Sequence, residues 1–197
     1  MKSTTRLTLA AAILLAAMPE ANAHPGFGPH TGFPGGLAHP FSGWDHLLAM
    51  LAAGYWAAQM RSRVAVAAVF LGSMVAGAVA GHWTGAVPGL EQGIAASVFA
   101  LGLLIALRAR VTVPAAAAWV GAFAFLHGAA HGAEMPATAG AMAYGCGFVL
   151  ATALLLTAGV AAGSLAARLP REGRSAPGWA FAAAGLVLLL MASGIRF

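Results

Sequence analysis

The sequence predicts an all-α integral membrane protein of six transmembrane helices, on three observations. The 197 residues are 60% hydrophobic and only 8% charged, whereas about a quarter of a soluble domain is charged. Six apolar runs recur, at approximately residues 43–60, 64–83, 88–107, 113–132, 138–166 and 177–195. Each is near the ~20 residues a helix needs to cross ~30 Å of hydrocarbon. The runs are continuous and rich in Ala, Leu and Gly, without the alternation of barrel strands.

The chain opens with a targeting segment. Lys2 and Arg6 form a basic region, LTLAAAILLAAM an apolar one, and Ala21-Asn22-Ala23 a small-residue cleavage site, the pattern of a secretory signal peptide. Residues 1–23 are therefore expected to be removed, and the mature chain to begin at His24. Residues 24–42 read as a periplasmic His/Gly/Pro-rich leader with no apolar period. Residues 43–197 form the six-helix domain, with no soluble domain left over.

The loops orient it. Arg61 and Arg63 follow the first run, Arg108 and Arg110 the third, and Arg168, Arg171 and Arg174 the fifth. On the other side only Arg196 occurs, so the arginine loops are expected in the cytoplasm and both mature termini in the periplasm. Within the helices, Ser73, Gly77, Gly81 and Gly85, then Gly128 and Gly132, then Gly159 and Gly163 repeat at four-residue spacing. Small residues so spaced let helices pack closely in lipid. No internal repeat is visible.

Missing residues exclude several functions. Lys2 is the only lysine, so neither a P-loop nor a retinal Schiff base can be built. Cys146 is the only cysteine, which excludes an internal disulfide and any CxxC motif. The formal charge of +5 is scattered, not gathered into a nucleic-acid patch.

What remains is concentrated at one end. With the expected topology all seven histidines fall on the outer side, together with Asp45, Glu91 and Glu134. Ionisable groups inside a membrane are costly and usually functional. In FLHGAAHGAE, His127, His131 and Glu134 lie four and three residues apart and share one helix face. Two imidazoles and a carboxylate suit nickel, cobalt, zinc or copper(II).

The start of the first helix supplies a second group, Asp45 and His46, with His39 just before it. Adjacent residues point about 100° apart on a helix. Both can ligate one ion only if the start is irregular at Gly43. Otherwise one ligates and the other orients it, or Asp45 caps the helix. Met50, one turn on, reads as packing. If His24 becomes the N-terminus, its amine and imidazole can chelate a metal, and Pro25 supplies no further amide nitrogen.

The stretches HPFSGWDHLLAMLAAG, EQGIAASV and HGAAHGAEMPA resemble the HupE/UreJ family of nickel permeases over the whole mature chain. The family's first-helix and fourth-helix blocks fall on His39, Asp45, His46, His127, His131 and Glu134. Ala53 and Leu126 depart from the usual pattern. The resemblance implies ATP-independent Ni2+ uptake across the bacterial inner membrane for hydrogenase or urease maturation. Cobalt or another divalent metal is the alternative cargo. The partners are the ion and the bilayer, homo-oligomerisation is left open, and no prosthetic group is expected. The rival from another class is a membrane zinc hydrolase using Glu134 as base, although Gly128 stands where an HExxH glutamate belongs. The inner half of the path offers only Gln59, Ser73, Ser97, Thr157 and backbone carbonyls.

Overall fold

The computed structural model describes residues 32–60, 62–85, 87–135 and 140–195. The expected signal peptide, His24 and His30 lie outside the described residues. Among the described residues every regular element is helical. A short α1 (Gly32–Ala38) runs into one 3-10 turn, His39–Phe41. Then follow α2 (Trp44–Ala57), α3 (Arg63–Thr84), α4 (Leu90–Ala106), α5 (Val113–Glu134), α6 (Ala141–Ala166) and α7 (Arg171–Ala192). Each apolar run in the sequence coincides with one of α2 to α7.

Four of these, α3, α5, α6 and the Gly173–Ala192 part of α7, are long and apolar enough to cross a membrane. The chain is a multi-pass membrane protein. The apolar α4 has 17 residues, about 26 Å, and α2 has 14, about 21 Å. The first apolar run thus yields a shorter helix than its length suggests. Gly43 is extended, with φ −114° and ψ 125°, and starts α2 afresh after the 3-10 turn.

Residues 32–41, which carry no apolar period, are nonetheless helical. GFPGGLA has poor intrinsic propensity, so tertiary contact supplies the order. Gly36 sits against the Tyr144 carbonyl of α6, and Gly147 of α6 against the backbone of Phe33 and Leu37. Close backbone approach of this kind is how helices associate where lipid is as apolar as the side chains.

The same device joins the long helices. They form three main pairs: α2 with α6, α3 with α5, and α4 with α7. In the α3–α5 pair, Gly77 and Gly81 lie on the backbone of Phe125 and Ala129, while Gly128 and Gly132 lie on that of Met74 and Ala78. The small-residue stripes are therefore packing faces. Exchanging α2, α3, α4 for α5, α6, α7 leaves this set of three pairs unchanged, as an inverted repeat would.

Trp56, Phe70, Met74, Leu101, Ile105 and Val120 fill the shared core. The polar groups divide between its ends. Tyr55 donates to the Arg174 carbonyl at 3.1 Å and Arg63 to Ser164 Oγ at 3.4 Å. The histidines gather at the other end of α2.

Candidate metal site

Helix α5 sets the site. His127, His131 and Glu134 follow one face, and the neighbouring Gly128 and Gly132 are turned about 100° away. Those glycines are held on α3, where an added Cβ would strike the carbonyls of Met74 and Ala78. That contact fixes the rotation of α5. Its histidine face is left toward α2 and the 3-10 turn.

His39, delivered by that turn, completes an outer group. Its Nε2 lies 2.8 Å from His131 Nδ1 and 3.6 Å from Glu134 Oε2. One ligand atom from each of the three fits within a mutual 4.8 Å. At bond lengths near 2.1 Å, two ligands of one ion stand about 3.0 Å apart at a right angle and about 3.4 Å at a tetrahedral angle. The spacing is close to what a metal requires. Glu134 is 46% exposed and His39 24%, while His131 is buried, so the group opens outward through its carboxylate.

A neutral imidazole is the form that ligates.

A deeper layer of rings lies beside this group. The His46 ring is 4.3 Å from that of His131 and 5.4 Å from that of His127, centroid to centroid. All three side chains are buried, and the Nε2 of each has no hydrogen-bond partner. Buried polar atoms are almost always satisfied, so these three are sites for water or a ligand. Two of the tautomers follow from the partners. His46 Nδ1 donates to Asp45 Oδ1 at 2.7 Å, and His127 Nδ1 donates to the Phe123 carbonyl at 2.8 Å. Since these oxygens only accept, each Nδ1 carries a proton, and each ring when neutral keeps its lone pair on Nε2.

Asp45 makes two contacts with its neighbour. The same Oδ1 accepts the backbone N–H of His46 at 2.8 Å and its ring N–H. It thus satisfies the helix start and aims the ring, as carboxylates behind metal-binding histidines do. Gly43 makes room for this. A Cβ there would stand 2.8 Å from Asp45 Oδ1 and 2.9 Å from His46 Nδ1.

Other residues fall at the margin or elsewhere. Glu91 opens α4 and is exposed, within electrostatic reach of His46 but not in the close group. His82 is exposed, its ring 5.8 Å from that of Trp83. Met50 is part of the apolar core. Of the inner-half candidates, Thr157 is exposed and bonded to the Ala153 carbonyl, and Ser97 is bonded to that of Ile94. Sequence reasoning missed Thr152, one turn along α6 from Phe148, whose ring is 4.3 Å from that of His131. Thr152 is fully buried, and its Oγ1 has no partner.

Residues 11–188 match the family described as HupE / UreJ protein. The chain belongs to the HupE/UreJ family. It is also 38% identical over 195 residues to Protein HupE of Rhizobium leguminosarum bv. viciae, covering 96% of this chain and 100% of that one. No solved structure matches it significantly. Family membership bears out the resemblance of the two histidine blocks, and the structure brings those blocks, His39 to His46 and His127 to Glu134, into contact.

Proposed function

We propose that this HupE/UreJ protein carries Ni2+ inward across the bacterial inner membrane by an ATP-independent route. The observation that carries this reading is the set of buried, unpartnered Nε2 atoms beneath an exposed carboxylate. Imidazole suits nickel, and a mouth of Glu134 and His39 can take ion from water before the buried rings replace more of its hydration shell. In this reading α2 to α7 all traverse the bilayer, with α2 completed by the helical segment before it. The arginine loops lie in the cytoplasm.

The driving force needs no nucleotide. A membrane potential contributes about 2.3 kcal/mol per charge per 100 mV, hence about 4.6 kcal/mol for a divalent cation moving inward. The packing of Gly128 argues against a zinc hydrolase of the HExxH kind. Its face is occupied by the α3 backbone, leaving no space for the glutamate of an HExxH helix. Co2+ is the nearest competitor, since imidazole and carboxylate discriminate weakly between neighbours in the divalent series.

Purified protein in liposomes that enclose a nickel-sensitive dye tests the reading. A potential negative inside should drive Ni2+ entry without ATP, and collapse of the potential should slow it. Absence of entry into well-sealed liposomes containing folded protein would contradict it.

A further inference from the structure

We infer that Arg63 and Arg168 form a seat for the phosphate of an anionic phospholipid, at the end of the helices away from the histidines. The seat depends on the multi-pass membrane character of the chain and not on nickel uptake.

One hydrogen bond sets the geometry. The Arg63 guanidinium donates to Ser164 Oγ at 3.4 Å, which holds the start of α3 against the end of α6. Arg168 follows Ser164 by four residues, about one turn or 6 Å on, in the turn that closes α6. Both arginines therefore stand at one corner of the bundle. Both are exposed, and among the described residues neither forms an ion pair. The sequence supplies one carboxylate at this end, Glu172, against seven arginines, so internal pairing cannot neutralise them. The long bond to Ser164 engages one of five guanidinium donors, and the planar fork matches a phosphate.

Arg63 does not serve its own helix. The dipole favours anions at a helix start and cations at its end. Arg168 gains from that rule, whereas Arg63 is the first residue of α3 and opposes it. The first turn of α3 carries no acidic residue, and Ser62 makes no side-chain cap.

The surface beside the pair suits hydrocarbon. On α6, Leu154, Ala158, Ala161 and Leu165 are exposed and follow one face that leads to Arg168. Next to Arg63, Val64 is 79% exposed. Both α3 and α6 are long and apolar enough to cross a membrane, so the aliphatic groups meet acyl chains and the guanidiniums stand at headgroup level. An anion that carries its own tail fits this surface better than free phosphate. Phosphatidylglycerol leaves its phosphate charge uncompensated, whereas the ammonium of phosphatidylcholine competes with arginine for it.

The test is thermal unfolding of the purified full-length protein in neutral detergent, titrated with dioleoyl phosphatidylglycerol or dioleoyl phosphatidylcholine. Phosphatidylglycerol should stabilise the wild type at about tenfold lower concentration. Arg63→Gln/Arg168→Gln should lose that preference. Arg108→Gln/Arg110→Gln removes the same charge at the end of α4 and should keep it. Should the first double variant fail to fold, Arg168→Gln alone carries the test, because its side chain has no partner among the described residues, and it should lose most of the preference. No preference in the wild type, or a preference that survives loss of Arg63 and Arg168, would overturn the seat. Equal loss in both double variants would mean diffuse surface charge and overturn it too. Stabilisation by inorganic phosphate equal to that by phosphatidylglycerol would mean an anion site without a lipid.

Discussion

His39 Nε2 and His131 Nδ1 stand 2.8 Å apart across 92 residues of sequence. The contact joins the turn before α2 to the last turn of α5, and it is where the two histidine blocks become one site. His39 is the more exposed of the two, so water reaches the pair from its side.

Gly43 should resist replacement even by alanine. A Cβ would stand 2.8 Å from Asp45 Oδ1 and 2.9 Å from His46 Nδ1, and relief means disrupting the pair that aims the His46 ring. Loss of such an orienting contact typically costs about 10–100-fold in metal affinity. We expect Gly43→Ala to express and fold but to bind Ni2+ that much more weakly. Unchanged affinity would mean that the orientation is dispensable.

The α3–α5 seam should be equally intolerant, but in stability. Gly128→Ala forces a methyl group onto the Met74 carbonyl, an overpacking of about 1–3 kcal/mol. Gly145 on α6 has open space around its Cβ direction, so Gly145→Ala should be neutral or stabilising by up to about 1 kcal/mol. Thermal unfolding in detergent should rank Gly128→Ala clearly below wild type and Gly145→Ala at or above it. Equal melting temperatures for the two would discount the close backbone approach.

Thr152 tests the path beyond the histidines. Its buried hydroxyl makes no hydrogen bond, so Thr152→Val should leave stability unchanged or slightly higher. If the hydroxyl helps a partly dehydrated ion inward, the substitution should slow uptake by about tenfold, while Thr157→Val does nothing. Uptake by Thr152→Val at the wild-type rate would remove Thr152 from the route.

The contrast between these two threonines shows where sequence reading reaches its limit. They lie five positions apart, about 140° around the helix, and in a run of Ala and Leu nothing marks which face is buried. The α5 histidines were legible because two imidazoles and a carboxylate at helical spacing specify a face on their own. The existence of six apolar helices was equally plain. Helix α1 was not, because glycine-rich sequence lacks local propensity and takes its order from α6. Asp45 was placed near His46, but its service to both backbone and ring depends on the extended Gly43, which only tertiary structure reveals.

If one route for nickel passes both histidine blocks, 63Ni2+ uptake into bacteria lacking their own high-affinity nickel transport should depend on each block. We expect uptake by wild type, and its loss in His46→Ala and in Glu134→Ala at matched membrane expression. No uptake by well-inserted wild type, or undiminished uptake by either variant, would mean that nickel takes no such route.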